Sequence, residues 1–323
     1  MKRLFAFVTV LASLAGCGSP DSGSAVGSDK TEVTLALNWY PEAEHGGYYA
    51  ALKHGFYDEA GLDVTIVPGG PGAPVIQEVA TGKATFGVAT ADRALLGRAQ
   101  GADVVAVMAP LQNSPRCIIV HEASGIAGFE QLENLTLAIS TAGPWALFLQ
   151  KQLPLKNVDV VPYPGNVAEF LINDKYAQQG YVFSEPFVAE KAGGDPRCLM
   201  VSDLGFNPYT SILIVQGDTI RSDPEVVEKM VQASIRGWQK YLTEPEETNA
   251  YIHEQNPEMD LDILAYGARA MKPLCITDTT PLEQLGTMTA DRWQTLAEQM
   301  VEVEVIESGA VDPGEAFTTQ FLP

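Results

Sequence analysis

The 323-residue sequence predicts an α/β fold in which mostly parallel sheets are flanked by helices. Short apolar runs alternate with segments whose apolar residues recur at helical spacing. With 46% hydrophobic and 19% charged residues, the chain can bury a sizeable core and is long enough for about two domains. We therefore expect a globular protein that is neither disordered nor membrane-spanning.

The N-terminal residues have the pattern of an export signal. Lys2 and Arg3 precede an apolar run, residues 4–14, that is too short to span a bilayer. Residues 14–17 read LAGC and resemble a bacterial lipobox, in which Cys17 receives a lipid. The alternative is ordinary cleavage near residue 16, with Cys17 as a bystander. We predict a signal peptide at 1–16, a lipid-anchored flexible tether rich in Ser, Gly and Asp at 17–30, and a fold that begins near residue 31.

The charge balance argues against a nucleic-acid partner. Forty-one acidic residues against 20 basic ones give a net charge of −21. Removal of Lys2 and Arg3 leaves 18 bases, so the mature charge is 18 − 41 = −23. Phosphate backbones are bound through clustered Lys and Arg, and the sequence has no basic run beyond Lys2 and Arg3.

Cysteine and histidine are too sparse and scattered to predict a metal site. Zinc motifs need close pairs such as C-x-x-C, which are missing from this sequence. At most one disulfide can form among the three cysteines that follow Cys17. These are Cys117, Cys198 and Cys275.

Residues 35–49, LALNWYPEAEHGGYY, combine a strand, a polar-aromatic turn and a helix start. In an open α/β sheet, ligands bind in the crevice beyond the carboxyl ends of the strands. Asn38, Trp39 and His45 are therefore candidates to face a solute. The alternative is that Trp39 is a core aromatic residue and His45 a surface residue.

Further candidates follow later strands. Thr90 and Asp92 start a helix after the predicted strand 84–89, where either can cap that helix or contact a ligand. Thr141 and Trp145 flank Pro144, which suits the first helical position and leaves backbone N–H groups free to bind a solute. Trp145 stacks on the ligand or fills the core.

The glycine-rich residues 68–74, PGGPGAP, do not form a phosphate loop. Two prolines remove backbone donors, and no Gly-Lys-Ser/Thr follows at the required spacing. We predict a mobile turn that leads into a helix.

Several segments together resemble the substrate-binding proteins of ABC importers of the thiamine-pyrimidine, riboflavin, sulfonate and nitrate group. The similar segments are 35–49, 55–64 (GFYDEAGLDV), 68–72, 112–115 (QNSP) and 181–193 (YVFSEPFVAEKAG). The resemblance implies a two-lobe type II periplasmic-binding-protein fold, with two crossings between lobes near 112–116 and 207–211. Lobe 1 would comprise 31–115, lobe 2 would comprise 116–208, and 209–323 would supply a return strand and the helical remainder of lobe 1.

The resemblance also implies that Glu185 contacts the ligand. A carboxylate at a helix start is stabilised by the helix dipole by about 0.3–1 kcal/mol, which is a sufficient structural reason for Glu185 as well. Two residues of the crossing segments complete the predicted ligand-binding set. The full set is Asn38, Trp39, His45, Thr90, Asp92, Gln112, Thr141, Trp145, Glu185 and Tyr209.

The leading functional hypothesis is a monomeric, lipid-anchored binding protein in the periplasm or at the cell surface that delivers a small solute to an ABC permease. A thiamine-precursor pyrimidine or similar aromatic N-heterocycle fits Asn38, Trp39 and Glu185, since a flat ring needs stacking faces and an edge needs paired donors and acceptors. Riboflavin is an alternative. A sulfonate or nitrate would require an arginine, with Arg93 and Arg116 as candidates, and Glu185 would oppose it.

Two rival classes remain. Hydroxymethylpyrimidine synthases of the same fold use pyridoxal phosphate, iron and a cysteine-rich motif. This chain lacks a cysteine cluster and common catalytic signatures such as G-x-S-x-G, and it has an export signal, so we predict a protein that is not an enzyme and needs no cofactor. The third class is a surface adhesin or sensor domain.

Overall fold

The computed structural model describes residues 30–323 of the chain. The predicted signal peptide, Cys17 and most of the predicted tether lie outside this range. Within it, no helix is long and apolar enough to cross a membrane.

Two five-stranded sheets form the framework of the described chain. The first sheet contains β1 (Thr31–Ala36), β2 (Leu62–Val67), β3 (Phe86–Ala89), β4 (Val104–Met108) and β10 (Ile212–Gln216). The second contains β5 (Arg116–His121), β6 (Thr136–Ile139), β7 (Asp159–Pro162), β8 (Tyr176–Tyr181) and β9 (Pro196–Met200). The strand orders are β2-β1-β3-β10-β4 and β7-β6-β8-β5-β9. We call the first sheet with its helices lobe 1 and the second lobe 2.

Both sheets are mixed, with the same pattern of strand directions. In lobe 1, β1 pairs in parallel with β2 and β3, whereas β10 runs antiparallel to β3 and β4. In lobe 2, β6 pairs in parallel with β7 and β8, whereas β5 runs antiparallel to β8 and β9. The α/β prediction is confirmed, but the prediction of mostly parallel sheets is wrong, because β5 and β10 each enter their sheet from a crossing and half of the strand pairings are antiparallel.

Helices flank both sheets. They are α1 (Gly46–Lys53), α2 (Phe56–Glu59), α3 (Val75–Ala80), α4 (Ala91–Ala99), α5 (Pro144–Gln152), α6 (Ala168–Ile172), α7 (Glu185–Lys191), α8 (Gly217–Ser222), α9 (Pro224–Thr243), α10 (Glu246–Gln255), α11 (Leu261–Cys275) and α12 (Ala290–Glu302). Pro144 opens α5 and Glu185 opens α7, as predicted. Thr90 takes the N-cap position of α4, but its side chain makes no capping hydrogen bond, so the predicted cap is absent there.

The two crossings between the lobes lie side by side. Leu111 of the first crossing forms an isolated bridge with Thr210 of the second. Asn207 accepts a hydrogen bond from the backbone N–H of Ser114 (2.8 Å) and donates one to the side chain of Asn113 (2.9 Å). Both connections therefore belong to one hydrogen-bonded hinge.

The pair Gly46-Gly47 places the start of α1 directly on α9. A Cβ atom at Gly47 would lie 2.0 Å from the Trp238 ring, and one at Gly46 would lie 2.0 Å from the Tyr241 ring. Trp238 is fully buried, as predicted for a core residue, and packs edge to face on Tyr48 at 5.7 Å. This close approach fixes the position of the turn that precedes α1.

The three cysteines of residues 30–323 are free thiols. Cys117 of β5 and Cys198 of β9 lie on neighbouring strands with their Sγ atoms 3.5 Å apart. Cys275 is buried in the core of lobe 1. Cys117 and Cys198 are therefore the pair placed for the single disulfide that the sequence allows.

Candidate functional site

The Asn38 side chain ties the end of β1 to the 3-10 turn Ala43–His45. Its Nδ2 donates to Glu44 Oε1 (3.2 Å), and its Oδ1 lies 3.0 Å from His45 Nε2. His45 is fully buried, and burial lowers its pKa to about 3, so the ring is neutral. The neutral ring therefore donates its Nε2–H to Asn38, and the turn is held as one unit.

Two carboxyl groups of this turn are buried at the boundary between the lobes. Glu42 is 7% exposed and Glu44 is 1% exposed. Burial raises the pKa of Glu42 well above its usual range, and the charges of Glu44 and of Glu185 from lobe 2 raise it further. Burial likewise raises the pKa of Glu44 to about 7, opposed by the Asn38 hydrogen bond and the charge of Arg116.

Glu185 presents a third carboxyl group from lobe 2. Its Oε1 accepts a hydrogen bond from the Tyr163 hydroxyl (3.1 Å), and its Oε2 accepts one from the Tyr181 backbone N–H (2.8 Å). Burial raises the pKa of Glu185, while these hydrogen bonds and the charge of Arg116 lower it. Both carboxyl oxygens of Glu185 are thus oriented by hydrogen bonds within lobe 2.

Arg116, the first residue of β5, supplies a positive charge at this boundary. Its guanidinium donates to the Tyr181 hydroxyl (3.0 Å) and lies 4.6 Å from the centre of the Trp145 ring. Trp145 is 3% exposed, so its ring supports the arginine from a buried position. The charge of Arg116 lowers the pKa of Glu44 and of Glu185 in the cleft.

Exposed aromatic rings follow β1 on lobe 1. Trp39 is 36% exposed and Tyr40 is 50% exposed, and the two rings pack edge to face at 5.5 Å. The backbone N–H of Gly69 donates to the Trp39 carbonyl (3.0 Å), which places the glycine-rich loop alongside. A groove of about 390 Å³ runs between Tyr40 and residues 67–74. Trp39 is therefore not a core residue, which removes the alternative that the sequence left open.

The lobes touch along one flank of the cleft. Phe183, which follows β8, is buried in the hydrophobic cluster of lobe 1. Beside it, the Tyr266 hydroxyl donates to the Val182 carbonyl (3.2 Å), and its ring stacks on Phe187 at 4.6 Å. Lys191 pairs with α11 at Asp260 and Asp262. The two lobes are therefore in direct contact along this flank.

Gln112 and Tyr209 lie in the hinge rather than among the cleft carboxyl groups. Gln112 is 5% exposed and donates to the carbonyls of Ala109 (2.8 Å) and Thr287 (2.9 Å). The Tyr209 hydroxyl accepts from the Thr289 backbone N–H (3.1 Å), and the Arg292 guanidinium lies 3.9 Å from its ring centre. Their hydrogen-bonding groups are used to hold the crossings.

The remaining predicted residues are distributed around the cleft. Asp92 is 5% exposed, and its charge acts on the pKa of Tyr181 across the lobe boundary. Thr90 is half-buried and Thr141 is exposed. The structure thus gathers Asn38, His45, Asp92 and Glu185, with Trp145 beneath Arg116.

Sequence reasoning missed the residues that set the charge of the cleft. The sequence places Glu42 and Glu44 within the motif of residues 35–49 without marking them as ligand contacts, and no motif singles out Tyr163 or Tyr181. The available signal was the Pro-Glu-Ala-Glu-His order, which puts two carboxyl groups beside a predicted ligand-facing histidine at the end of a strand. Among residues 30–323, no three His, Cys, Asp or Glu side chains lie close enough to share a metal ion.

Comparison with known families identifies the chain. A family model described as NMT1/THI5 like matches residues 42–248, which is more than half of the sequence and includes the three cleft carboxyl groups. The chain belongs to the NMT1/THI5 like family.

Individual relatives of this NMT1/THI5 like protein carry different functional names. It is 27% identical over 306 residues to the riboflavin-binding protein RibY of Chloroflexus aurantiacus, covering 90% of this chain and 86% of that one. It is 22% identical to the formylaminopyrimidine-binding protein of Halalkalibacterium halodurans, covering 90% and 92%. It is also 23% identical to the 4-amino-5-hydroxymethyl-2-methylpyrimidine phosphate synthase of Legionella pneumophila, covering 93% and 95%.

Solved structures confirm the fold of the NMT1/THI5 like chain. The periplasmic aliphatic sulphonate binding protein SsuA from Escherichia coli superposes with a TM-score of 0.66 at 16% identity, covering 89% of this chain and 92% of that one. The sulfonate-binding protein from Methylobacillus flagellatus also gives 0.66, at 16% identity and 91% and 93% coverage. The predicted periplasmic-binding-protein fold is therefore confirmed.

The raised pKa values make the ligand-free protein less stable as the pH rises. A carboxyl group whose folded pKa exceeds its unfolded value contributes stability that is full below the unfolded pKa, about 4.5, and is lost as the pH rises through the folded pKa, about 7 for Glu44. His45 acts in the opposite direction, but only below its ordinary pKa of 6.5. The carboxyl effect is therefore isolated above pH 6.5.

We expect the free energy of unfolding in denaturant to fall between pH 6.5 and 8. Glu44→Gln should reduce that fall by on the order of 1 kcal/mol, because one pKa unit corresponds to about 1.4 kcal/mol. Glu32→Gln, at an exposed position of β1, is the control and should keep the wild-type slope. Parallel wild-type and Glu44→Gln curves would contradict the raised pKa.

Proposed function

We propose that the protein is the extracytoplasmic solute-binding component of an ABC importer, and that its lobes close over a flat aromatic N-heterocycle such as a thiamine-precursor pyrimidine. The observation that carries this proposal is the placement of Glu185. Tyr163 and the Tyr181 backbone fix its carboxyl group at the start of α7, where its charge raises the pKa of Glu42 in the turn of lobe 1. A carboxyl group held at the boundary between the lobes is suited to form hydrogen bonds with the edge of a small molecule.

The chemistry of the cleft favours a ring with hydrogen-bond donors on its edge. A carboxylate accepts hydrogen bonds, and a protonated carboxyl group both accepts and donates, so Glu42, Glu44 and Glu185, whose pKa values are raised, suit an edge that pairs N–H donors with ring-nitrogen acceptors. The exposed rings of Trp39 and Tyr40 provide stacking faces at the mouth of the lobe 1 crevice. Aromatic faces together with carboxylate acceptors match an amino-substituted heterocycle.

The similar proteins support the same solute class. The relatives named above include a riboflavin-binding and a formylaminopyrimidine-binding protein, and both names describe flat N-heterocycles. Riboflavin is therefore the second candidate solute. A sulfonate or nitrate is opposed by the three carboxyl groups, since Arg93 is exposed and Arg116 is already engaged by Tyr181 and Trp145.

An enzymatic role is the second candidate function, since a relative named as a 4-amino-5-hydroxymethyl-2-methylpyrimidine phosphate synthase matches 93% of the chain. The resemblance to synthases implies iron and pyridoxal phosphate. The residues of the described range do not fit an iron site, because no three possible ligands are clustered there. Purified protein incubated with pyridoxal phosphate that develops a stable yellow absorbance, retained after desalting, would support the enzyme instead.

Solute binding is tested by thermal and chemical unfolding with a panel of pyrimidines, flavins, sulfonates and nitrate. A ligand at a hundredfold excess over its dissociation constant should stabilise the protein by about 2.7 kcal/mol, because it binds only the folded state. We expect an aminopyrimidine or a flavin to give this shift. A panel without any stabilising solute would count against transport and for an adhesin or sensor role.

Replacing Trp39 with Ala separates a stacking role from a core role. Because Trp39 is exposed, the ligand-free variant should unfold near the wild-type denaturant concentration, while binding measured by calorimetry weakens by about 0.5–1.5 kcal/mol plus the lost contact area. Trp238→Ala is the matched control, since that fully buried ring should cost roughly 3–5 kcal/mol of stability. Loss of stability with unchanged affinity in Trp39→Ala would refute the stacking role.

The proposed location is the periplasm or cell surface, with a lipid at Cys17 holding the protein near its permease. This part of the proposal rests on the sequence, because Cys17 lies outside the described residues. Cys17→Ser should move the protein from the detergent phase to the aqueous phase in a phase-partition assay, with the unfolding transition unchanged. Equal partitioning of the variant and the parent would contradict lipidation.

A further inference from the structure

Helix α11 of lobe 1 contacts both halves of the candidate site. At Gly267, an added Cβ atom would lie 2.6 Å from Ala43 Cβ and 3.1 Å from the Phe183 carbonyl oxygen. Ala43 begins the 3-10 turn Ala43–His45, and Phe183 lies two residues before Glu185. The turn of lobe 1 and the Glu185 segment of lobe 2 therefore meet at a position of α11 that has no side chain.

Tyr266, the residue before this glycine, holds the Glu185 segment on both sides of the carboxyl group. Its hydroxyl donates to the Val182 carbonyl (3.2 Å), and its ring stacks on the Phe187 ring with centroids 4.6 Å apart and an interplanar angle of 18°. Val182 lies three residues before Glu185, and Phe187 lies two residues after it. One side chain of lobe 1 thus fixes the chain that carries the carboxyl group of lobe 2.

Burial distinguishes this packing from the charged pairs beside it. Phe183 is 1% exposed and belongs to the same hydrophobic cluster as Leu264 of α11. The ion pairs that Lys191 forms at the start of α11 join exposed side chains, and surface pairs of that kind contribute little to stability. The packed residues of α11 therefore dominate the contact between the lobes along this flank.

We propose that Tyr266 and Gly267 are positioning residues, which set the place of the Glu185 carboxyl group relative to the turn Ala43–His45 so that both can contact one solute. This inference rests on the proposed solute-binding function and extends its site to α11. The helix spans Leu261–Cys275 and so lies beyond residues 42–248, the part of the chain that the family model matches.

Gly267 serves the packing of α11 rather than its helical conformation. Glycine inside a helix is less favourable than alanine, because it loses more backbone freedom on folding. A methyl group at this position would overlap Ala43, and overpacking of this kind moves the backbone or forces side chains from their preferred rotamers. Gly267→Ala should therefore displace α11 from the turn and, with it, the segment that α11 holds.

The Tyr181 amide reports the place of the Glu185 carboxyl group, because its N–H donates to Glu185 Oε2 (2.8 Å). Hydrogen exchange at this amide is measured by NMR in the ligand-free protein. The amide of Ile118 is the internal reference, since Ile118 lies in the middle of β5 and is paired on both sides, with β8 and β9.

Three substitutions in α11 are compared with a matched control. Exchange at Tyr181 should become about 10- to 100-fold faster in Gly267→Ala, the range expected from overpacking. Tyr266→Phe keeps the ring and should give about a 3- to 10-fold increase, the range of one hydrogen bond. Tyr266→Leu should give a larger increase, because it also loses the aromatic stacking. Tyr251→Phe, whose ring packs on Tyr49 within lobe 1, should leave the rate unchanged.

A compensating substitution separates positioning from general damage. Ala43→Gly added to Gly267→Ala removes the Cβ atom that the new methyl group would meet at 2.6 Å, so the double variant should regain slow exchange at Tyr181. Exchange at Ile118 should stay constant throughout, whereas a general loss of stability in lobe 2 would accelerate both amides.

Affinity is measured by calorimetry on the same variants, with 4-amino-5-hydroxymethyl-2-methylpyrimidine and riboflavin as probes. A probe that the wild type binds should bind more weakly to Gly267→Ala and Tyr266→Leu than to Tyr266→Phe, and the double variant should regain affinity. Affinity that stays at the wild-type value while exchange at Tyr181 accelerates would overturn the positioning role.

Unchanged exchange at Tyr181 in Gly267→Ala or in Tyr266→Leu would overturn the inference whether or not a probe binds. If Gly267→Ala does not fold, the two Tyr266 variants decide it in the same way. If neither probe binds the wild type, the proposed solute class fails by itself, and the exchange rates alone decide whether α11 positions Glu185.

Discussion

The hydrogen bonds of the Asn38 side chain hold the site together. By bonding to both Glu44 and His45, Asn38 closes the turn after β1 on itself and holds the Glu44 carboxyl group in place. The turn is fixed from the other side as well, since Gly46 and Gly47 let α1 pack against the rings of α9. A short polar motif is thus held rigidly between a strand and a helix pair, as a binding site requires.

The boundary between the lobes combines apolar contacts with buried carboxyl groups. Phe183 inserts into the core of lobe 1, and Tyr266 stacks on Phe187 beside it, so closure gains packing along one flank. Glu42 and Glu44 are also buried at this boundary beside the half-buried Glu185, and burial of a carboxyl group is unfavourable unless it finds a proton or a counter-charge. The aromatic contacts therefore stabilise the association of the two lobes. The carboxyl groups make that association depend on whether a proton or a positive charge lies beside them.

The hinge shows how residues that look like binding residues serve the connection between lobes. Ser211 has a φ of 55°, in the left-handed region, and its backbone and side chain bond to Tyr48 and Glu44 of lobe 1. The side chains of Gln112 and Tyr209 form hydrogen bonds with neighbouring backbone groups. A polar or aromatic residue in a crossing segment thus satisfies the buried backbone of the hinge itself.

The sequence by itself determined the α/β alternation, the helix starts at Pro144 and Glu185, and the buried stripe that contains Trp238, because local pattern and turn chemistry act over a few residues. It also pointed to the segment that holds Asn38 and His45. Only the tertiary structure decided which charges meet. Glu42 and Glu185 are 143 positions apart (185 − 42), and the fold brings them close enough for the charge of Glu185 to raise the pKa of Glu42. This effect arises from the arrangement of the two lobes, and no local spacing encodes it.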